Sequence, residues 1–209
     1  MNSAMNTNSR AIERKNELRI LAANMRNEIV SPVDIQAGAR IIQHILSIPE
    51  CSGPTSEGAV IGLYYPIRME VNLISQIGLL RACGFQVALP RVNGDDIVFS
   101  IVQEGDVLTN GVFGIREPQQ TAPKTLIEEL QAVCVPGLAF SLNGARLGYG
   151  KGFYDRCLRT LSEERRPVLL GIGYDFQKMD AIPQEEHDEM MDYIVTPSGA
   201  VKCSPYDSV

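Results

Sequence analysis

The chain has 209 residues, and 44% of them are hydrophobic. It contains five cysteines and carries a formal net charge of −6. This length and composition are typical of one sizeable α/β domain with a hydrophobic core. The acidic balance argues against a nucleic-acid-binding protein, the lack of an 18-residue apolar run against a membrane span, and the lack of a Cys-x-x-Cys pair against a zinc site or disulfide framework.

The first nine residues are polar and lack the apolar stretch of a secretory signal. We therefore expect residues 1–9 to be a disordered extension and residues 10–209 to form a single domain. Cysteines without metal or disulfide spacing are typical of a reducing compartment, so we expect a cytoplasmic protein.

Two helices are predicted at the start of the domain. Residues 10–30 fit an amphipathic helix with three cations that lie within about 40° of one another, beside the apolar stripe. These cations are Lys15, Arg19 and Arg26. Their pattern alone favours a solvated face. Ser31-Pro32 predicts the start of a second helix that runs to about Ser47, because serine is a good N-cap and proline suits the first helical position.

Short apolar runs bounded by turn-forming residues predict strands that alternate with helices. The predicted strands are 59–64, 85–89, 97–102, 132–135, 168–172 and 193–195, the last of the chain, and the predicted helices are 73–82, 125–130 and 154–161. An Asn93-Gly94 turn precedes the strand at 97–102, and residues 105–123 are expected to be irregular. This alternation predicts a three-layer αβα fold, with a mostly parallel open sheet and helices on both faces.

In such sheets, ligands bind beyond the carboxyl ends of the strands. Three segments are predicted to follow strand ends, namely Tyr64–Glu70, the loop after Val135 and Tyr174-Asp175. We expect the strand at 132–135 to feed directly into the glycine-rich stretch that comes next. A ligand site is therefore predicted at this edge of the sheet.

The glycine-rich stretch reads Gly144-Ala-Arg-Leu-Gly-Tyr-Gly-Lys-Gly-Phe-Tyr-Asp-Arg-Cys157. Glycines at alternate positions allow backbone amides to point into an anion-binding concavity. Arg146, Lys151 and the start of the following helix add positive charge. The pattern predicts a phosphate site, in which Asp155 stands where a phosphate-bound Mg²⁺ would find a carboxylate ligand.

Neither of the two common glycine-rich loops matches this stretch. A Walker A loop requires Ser or Thr after its lysine, but Gly152 follows Lys151 here. A Rossmann fingerprint requires its third glycine one residue later. The remaining alternative is a surface turn without function, which rarely combines Arg, Lys, two aromatic residues and Asp.

The stretch resembles the 5-formyltetrahydrofolate cyclo-ligase family, also called methenyltetrahydrofolate synthetase. Matching segments occur in the family's order and cover roughly residues 10–200. They are Tyr64–Glu70, Gly111–Pro118, Val135–Phe140, Gly144–Arg156 and His187–Asp192. One departure is Ser141, where many relatives carry an acidic residue.

The resemblance implies an ATP- and Mg²⁺-dependent ligase of folate one-carbon metabolism. Its reaction would convert 5-formyltetrahydrofolate into 5,10-methenyltetrahydrofolate, with release of ADP and phosphate. The substrate oxygen would itself attack the γ-phosphorus, so no protein nucleophile is needed. The sequence fits this, since it shows no obvious Ser-His-Asp or Cys-His catalytic residues. His187 has no clear partner that would make it a catalytic base. A different ATP-dependent phosphoryl transferase on the same fold, or a non-catalytic folate-binding relative, stays open.

The resemblance also implies the site residues, with Arg146 and Lys151 as the catalytic cations. The implied ATP-binding residues are Lys15, Arg19, Arg146, Leu147, Gly148, Tyr149, Gly150, Lys151, Gly152, Phe153 and Tyr154. The implied folate contacts are Tyr65, Glu70 and Tyr149, and the implied metal ligands are Asp155 and Asp188. The expected ligand is 5-formyltetrahydrofolate, including polyglutamylated forms, bound by a monomer.

Overall fold

The N-terminal part of the computed structural model is helical; the structure describes residues 2–29, 35–159, 161–162, 165–185 and 187–204. Helix α1 spans Asn2–Ile29 and α2 spans Ile35–Ser47. Residues 2–9, predicted to be a disordered extension, continue α1 as helix. The predicted start at Ser31-Pro32 lies outside the described residues, whereas the predicted end of the second helix at Ser47 is confirmed.

Among the described residues, the other regular elements include two further α-helices and thirteen strands. The helices are α3 (Ile77–Ala82), preceded by a 3₁₀ turn, and α4 (Phe153–Arg159). The strands are β1 (Val60–Gly62), β2 (Gln86–Asn93), β3 (Asp96–Val102), β4 (Thr109–Asn110), β5 (Arg116–Glu117), β6 (Lys124–Thr125), β7 (Leu130–Pro136), β8 (Ala139–Ser141), β9 (Arg146–Leu147), β10 (Val168–Ile172), β11 (Lys178–Met179), β12 (Tyr193–Thr196) and β13 (Gly199–Lys202).

Eight of these strands form one sheet, in the order β13-β12-β10-β7-β1-β2-β3-β6. The five strands from β12 to β2 are parallel to their neighbours. Antiparallel strands flank this parallel centre, with β13 at one edge and β3 followed by β6 at the other. The mostly parallel open sheet predicted from the sequence is confirmed.

The two faces of the sheet pack against different layers. Odd and even residues of a strand point to opposite faces, and in β1 Ile61 packs with α2 and α3 while Val60 packs with α4. The first face holds residues such as Ile41, Ile45 and Leu80, and the second holds Phe140 and Leu158. Apolar side chains on both faces explain why the central strands read as continuous hydrophobic runs.

The strand β8 lies between β7 and the glycine-rich stretch, and it belongs to a small three-stranded sheet with the order β11-β8-β9. The expectation that the strand at 132–135 feeds directly into this stretch is therefore wrong. The chain turns back after β8, where the Ser141 N–H bonds the carbonyl of Ala145, and β9 returns antiparallel to β8. The glycine-rich stretch therefore begins in the turn of the β8–β9 hairpin and continues beyond β9 into α4.

Three further local predictions differ from the structure. The helix predicted over 125–130 is only a 3₁₀ turn, Ile127–Glu129, because the Glu129 carboxylate accepts from the Leu126 N–H and the chain then enters β7. The strand over 193–195 is not the last, since β13 follows it, and the irregular 105–123 segment contains the pair β4–β5. Among the described residues, no helix combines the length and apolarity needed to cross a membrane.

Candidate functional site

A cleft of about 610 Å³ opens beyond the carboxyl ends of β1 and β7. Its lining includes residues of α1, the loop after β1, the glycine-rich stretch, and Glu185, His187 and Asp188. The cleft brings together every residue proposed for the site except Leu147. Those residues are Lys15, Arg19, Tyr65, Glu70, Arg146, Gly148, Tyr149, Gly150, Lys151, Gly152, Phe153, Tyr154, Asp155 and Asp188.

Leu147 and Ser141 lie away from the cleft. The Leu147 side chain is fully buried and packs with Leu18, Ala22 and Ala139 beneath α1. Ser141 is buried in β8, where its hydroxyl contacts Asn143. The Leu147 side chain is thus a core residue, and the departure from the family pattern at Ser141 falls outside the cleft lining.

The glycine-rich stretch is shaped around two guanidinium groups. A Cβ atom on Gly148 would lie 2.6 Å from Nη1 of Arg146, and one on Gly150, whose φ is +85°, would lie 3.4 Å from Cζ of Arg19. Arg19 also donates from Nε to the carbonyl of Gly148 at 3.0 Å. Glycine at both positions lets the backbone approach these cations closely.

Arg146 and Asp155 form an ion pair in the cleft. Nη2 of Arg146 lies 2.7 Å from Oδ1 of Asp155, and the Arg146 side chain is only 7% exposed. Within the described part of the chain, its buried Nε has no hydrogen-bond partner. The guanidinium also lies 5.8 Å from the ring centroid of Tyr154. Arg146 is therefore held beside the cleft with donor capacity that the protein leaves unused.

Lys15 forms a second set of ion pairs in the cleft. Its Nζ lies 2.7 Å from Oε1 of Glu185 and 2.5 Å from Oδ2 of Asp188, and the residue is 2% exposed. The bond from Lys15 lowers the pKa of Glu185. The solvated face that the charge pattern favoured is therefore wrong for Lys15, and also for Arg26, which is 1% exposed.

Carboxylates from two segments converge near these cations. The N–H of Glu189, the residue after Asp188, donates to Oδ1 of Asp155 at 3.5 Å. Glu185, His187 and Asp188 each offer a ligand atom, and these atoms lie within 4.8 Å of one another. Mg²⁺ binds mainly carboxylate and water oxygens, so the donors in this part of the cleft fit that ion.

Glu70 and Tyr149 form a hydrogen-bonded pair in the lining of the same cleft. The Tyr149 hydroxyl donates to Oε1 of Glu70 at 2.7 Å, and the Ile67 N–H donates to Oε2 at 2.9 Å. Burial raises the pKa of Glu70, and hydrogen bonds from Ile67 and Tyr149 oppose that shift. Burial also raises the pKa of Tyr149, so its hydroxyl remains a donor.

The turn that carries Glu70 is strained. Arg68 and Met69 have φ values of +46° and +64°, and the Glu70 N–H closes the turn onto the Ile67 carbonyl at 2.9 Å. Left-handed backbone costs an ordinary residue about 1–2 kcal/mol. Such strain is common where surrounding contacts fix a functional group, and here the Glu70 carboxylate fixes the turn through the Ile67 N–H.

Glycine at position 69 should relieve this strain. We expect the Met69→Gly variant to be more stable than Met69→Ala by about 1 kcal/mol, because both lose the same side-chain contacts but only glycine adopts positive φ without a Cβ clash. Urea unfolding of the two variants measures the difference. Equal free energies of unfolding would show that the turn stores no strain.

The structure places three further charged residues in or beside the cleft that the sequence analysis did not assign to the site. Glu185 contacts Lys15, Arg26 lies 5.6 Å from the Tyr149 ring centroid, and buried Glu117 lines the cleft and accepts from the Val92 N–H. Glu117 belongs to the Gly111–Pro118 segment that carries the family resemblance. Arg26 was noted only as one of three cations beside the apolar stripe of the first helix, and Glu185 left no signal, because their contacts join parts of the chain that are distant in sequence.

Fold and cleft together define an α/β protein with a cationic glycine loop and neighbouring carboxylates at the carboxyl edge of its sheet. A sequence profile described as the 5-formyltetrahydrofolate cyclo-ligase family matches residues 11–197. The chain belongs to this family.

Individual relatives agree with this assignment. The 5-formyltetrahydrofolate cyclo-ligase of Mycolicibacterium smegmatis is 30% identical over 185 residues, which cover 79% of this chain and 94% of the relative. The solved 5,10-methenyltetrahydrofolate synthetase of Aquifex aeolicus has a TM-score of 0.76 and 30% identity, covering 90% of this chain and 92% of that one. The corresponding protein of Mycoplasma pneumoniae has a TM-score of 0.67 and 25% identity, with coverages of 88% and 98%.

Proposed function

We propose that this chain converts 5-formyltetrahydrofolate into 5,10-methenyltetrahydrofolate, using ATP and Mg²⁺ and releasing ADP and phosphate. The observation that carries the proposal is one cleft whose lining holds two chemically different sets of groups, called here its phosphate end and its folate end. The first set combines Lys15 and Arg146 with Lys151 and the glycines beside it, and the second is the Glu70–Tyr149 pair. The first end suits a polyphosphate and the second suits a ring that carries N–H groups.

At the phosphate end, cations would neutralise the oxygens of ATP. Arg146 presents a planar guanidinium that can grip phosphate through two N–H groups, whereas Lys151 acts as a compact charge on an exposed loop. Lys15 and Arg19 would approach from α1. Phosphoryl transfer depends mainly on positioning and charge stabilisation, which this set supplies.

The carboxylates that now pair with cations would become available to the metal. In the structure Asp155 pairs with Arg146, and Glu185 and Asp188 pair with Lys15. Bound Mg²⁺ would supply positive charge against the phosphate oxygens. We propose that phosphate takes over the cations while Asp155 and Asp188 turn to the metal, so each ion pair exchanges its partner.

The chemistry is activation of a poor leaving group. The formyl oxygen would attack the γ-phosphorus and displace ADP, after which N10 attacks the formyl carbon and closes the ring. Phosphate then departs with the former formyl oxygen, and it can accept the proton lost from N10. Arg146 and Lys151 would stabilise the charge that develops on the transferred group. No protein nucleophile takes part in this sequence.

At the folate end, the Glu70 carboxylate would accept hydrogen bonds from pterin N–H groups. Tyr149 already donates to one oxygen of Glu70, which fixes the orientation of the carboxylate. Tyr65 also lines the cleft and offers an aromatic face for the ring.

We also propose that polyglutamylated substrates are accepted, that the protein is a cytoplasmic monomer, and that residues 10–209 form one domain.

A chromophore assay tests the proposal directly. Protein is mixed with ATP, Mg²⁺ and 5-formyltetrahydrofolate, and the absorbance of the methenyl product is followed together with ADP release. We expect both signals only when all three components are present. ADP release that does not require the folate would indicate a different phosphoryl transferase, and folate binding without either product would indicate a non-catalytic relative.

The metal role of Asp155 has its own test. We expect Asp155→Asn to raise the Mg²⁺ concentration for half-maximal activity about three- to tenfold, because the carboxamide keeps an acceptor for Arg146 but loses the charge, while Asp188 and water ligands remain. Mg²⁺ titration at saturating ATP measures this. Asp180→Asn, at an exposed carboxylate outside the cleft, is the control. Superimposable titrations of Asp155→Asn and the parent would remove Asp155 from the metal site.

A further inference from the structure

Arg26 is a buried cation next to the folate end of the cleft. It is 1% exposed, and it continues the buried face of α1 after Leu18 and Ala22. Within the described part of the chain, its Nε and Nη1 have no hydrogen-bond partner. Burying a guanidinium is costly unless an opposite charge or a polar partner compensates. The position therefore calls for a compensating group nearby.

Tyr149 and Glu70 are that compensating group. The guanidinium carbon of Arg26 lies 5.6 Å from the ring centroid of Tyr149, within the range of a cation–π contact. The hydroxyl of the same tyrosine donates to Glu70 at 2.7 Å. Cation, ring and carboxylate thus form a continuous chain, of which Tyr149 and Glu70 line the cleft and Arg26 does not.

Other charged and titratable groups also face Glu70. Arg68 is a second cation, 5.9 Å from the ring centroid of Tyr149, and it lowers the pKa of Glu70. The buried Tyr64 and the half-buried Tyr154 are phenols that interact with the carboxylate electrostatically. Arg68 is exposed, so solvent screens its charge, whereas the charge of Arg26 acts through a poorly polarisable interior. The phenols keep their protons because burial raises their pKa values. Arg26 is thus the buried positive charge among these groups.

We infer that Arg26 is a positioning residue, which holds the Tyr149 ring and keeps Glu70 charged so that this pair offers an acceptor to the folate. The inference rests on the proposed function for the ligand, but not for the state of Glu70 in the ligand-free protein. It assigns α1 a role at both ends of the cleft, since Lys15 and Arg19 of the same helix face the phosphate end.

The first test uses the protein without ligands. The titration of the Glu70 carboxyl carbon is followed by NMR in the parent, in Arg26→Met, which keeps the length of the side chain, and in Arg26→Lys, which keeps its charge. We expect the pKa of Glu70 to rise in Arg26→Met and to stay near the parent value in Arg26→Lys. Arg26→Gln is the second neutral variant if the methionine variant folds poorly. Coincident titrations in the parent and the neutral variant would overturn the inference.

The second test measures ligand binding. Calorimetry without nucleotide should show that Arg26→Met binds 5-formyltetrahydrofolate about fivefold more weakly than the parent at pH 7, since coupled neighbours act through one another. The loss should grow as the pH falls, because Glu70 takes up its proton at a higher pH in the variant than in the parent. In a Glu70→Gln background, Arg26→Met should add little. A general displacement of α1 would instead raise KM for ATP through Lys15 and Arg19, and that result would overturn the positioning role. If the parent fails to bind this folate, the proposed function fails, and the Glu70 titration alone decides the inference.

Discussion

Replacing Lys151 by alanine is expected to lower kcat/KM for ATP about 10- to 150-fold, the equivalent of one lost charge-assisted contact of about 1.5–3 kcal/mol. Lys151 lies between Gly150 and Gly152 in the glycine-rich stretch, and it is exposed. The variant should therefore fold normally, with a free energy of unfolding within about 0.5 kcal/mol of the parent. Initial rates at varied ATP and saturating folate measure the effect.

A matched lysine separates local from global charge effects. Lys124 is also exposed, but it lies in β6 at the far edge of the sheet and outside the cleft lining. Lys124→Ala removes the same charge from the molecule and should leave kcat/KM for ATP unchanged. If the two variants behave alike, the electrostatics of the whole protein dominate and Lys151 has no specific phosphate contact.

Glu70→Gln is expected to raise KM for 5-formyltetrahydrofolate about 5- to 150-fold and barely change KM for ATP. Glutamine keeps one acceptor oxygen but presents an NH₂ group where the second acceptor was, and an unpaired buried donor costs about 1–3 kcal/mol. Both carboxylate oxygens are already engaged, one by Tyr149 and one by Ile67. The loss of one acceptor therefore disturbs the turn and the ligand contact together.

Lys15→Met is the reverse control for this prediction. Lys15 contacts Glu185 and Asp188 at the phosphate end, so its loss should raise KM for ATP and leave KM for the folate nearly unchanged. The opposite responses of the two variants would separate the two ends of the cleft. Equal impairment of both substrates by Glu70→Gln would falsify the assignment of Glu70 to the folate.

The pH dependence offers a second measure of the Glu70 role. Burial raises the pKa of Glu70 above the ordinary glutamate value of 4.5, so its carboxylate takes up a proton at a higher pH than an exposed glutamate would. Since only the ionised form accepts through both oxygens, folate affinity should fall as the pH is lowered through this raised pKa. The Glu70→Gln variant lacks the titrating group and should not show that fall.

The central sheet was predictable because its signals are local. Strands such as Val168–Ile172 are short apolar runs between turn-forming residues, and they are buried on both faces. The glycine-rich stretch could also be recognised as a candidate phosphate site, since glycines at alternate positions with cations between them are uncommon in a plain surface turn. The β8–β9 hairpin and β13 were missed because strands of only two to four residues carry little periodicity.

Long-range contacts account for what the sequence could not predict. Tyr149 and Glu70 are 79 positions apart, and Lys15 and Asp188 are 173 positions apart, so no spacing rule joins them. A cation in an amphipathic helix normally marks a solvated face, yet Lys15 and Arg26 are buried because partners from distant segments meet them. The side chain of Leu147 sits within a glycine-rich motif but packs inward, since β9 alternates its faces as any strand does.

The way in which α1 is attached has a consequence for how the protein loses activity. Leu18 and Ala22 pack into a small cluster with residues of the β8–β9 region, separate from the two larger clusters that hold the main sheet. An element with few apolar contacts opens at a lower free energy than the core to which it is attached. Opening of α1 would remove Lys15, Arg19 and Arg26 together while the sheet stays folded. Ligands that bridge α1 and the glycine-rich stretch would oppose that opening in proportion to their saturation, and amide hydrogen exchange in α1 would slow accordingly.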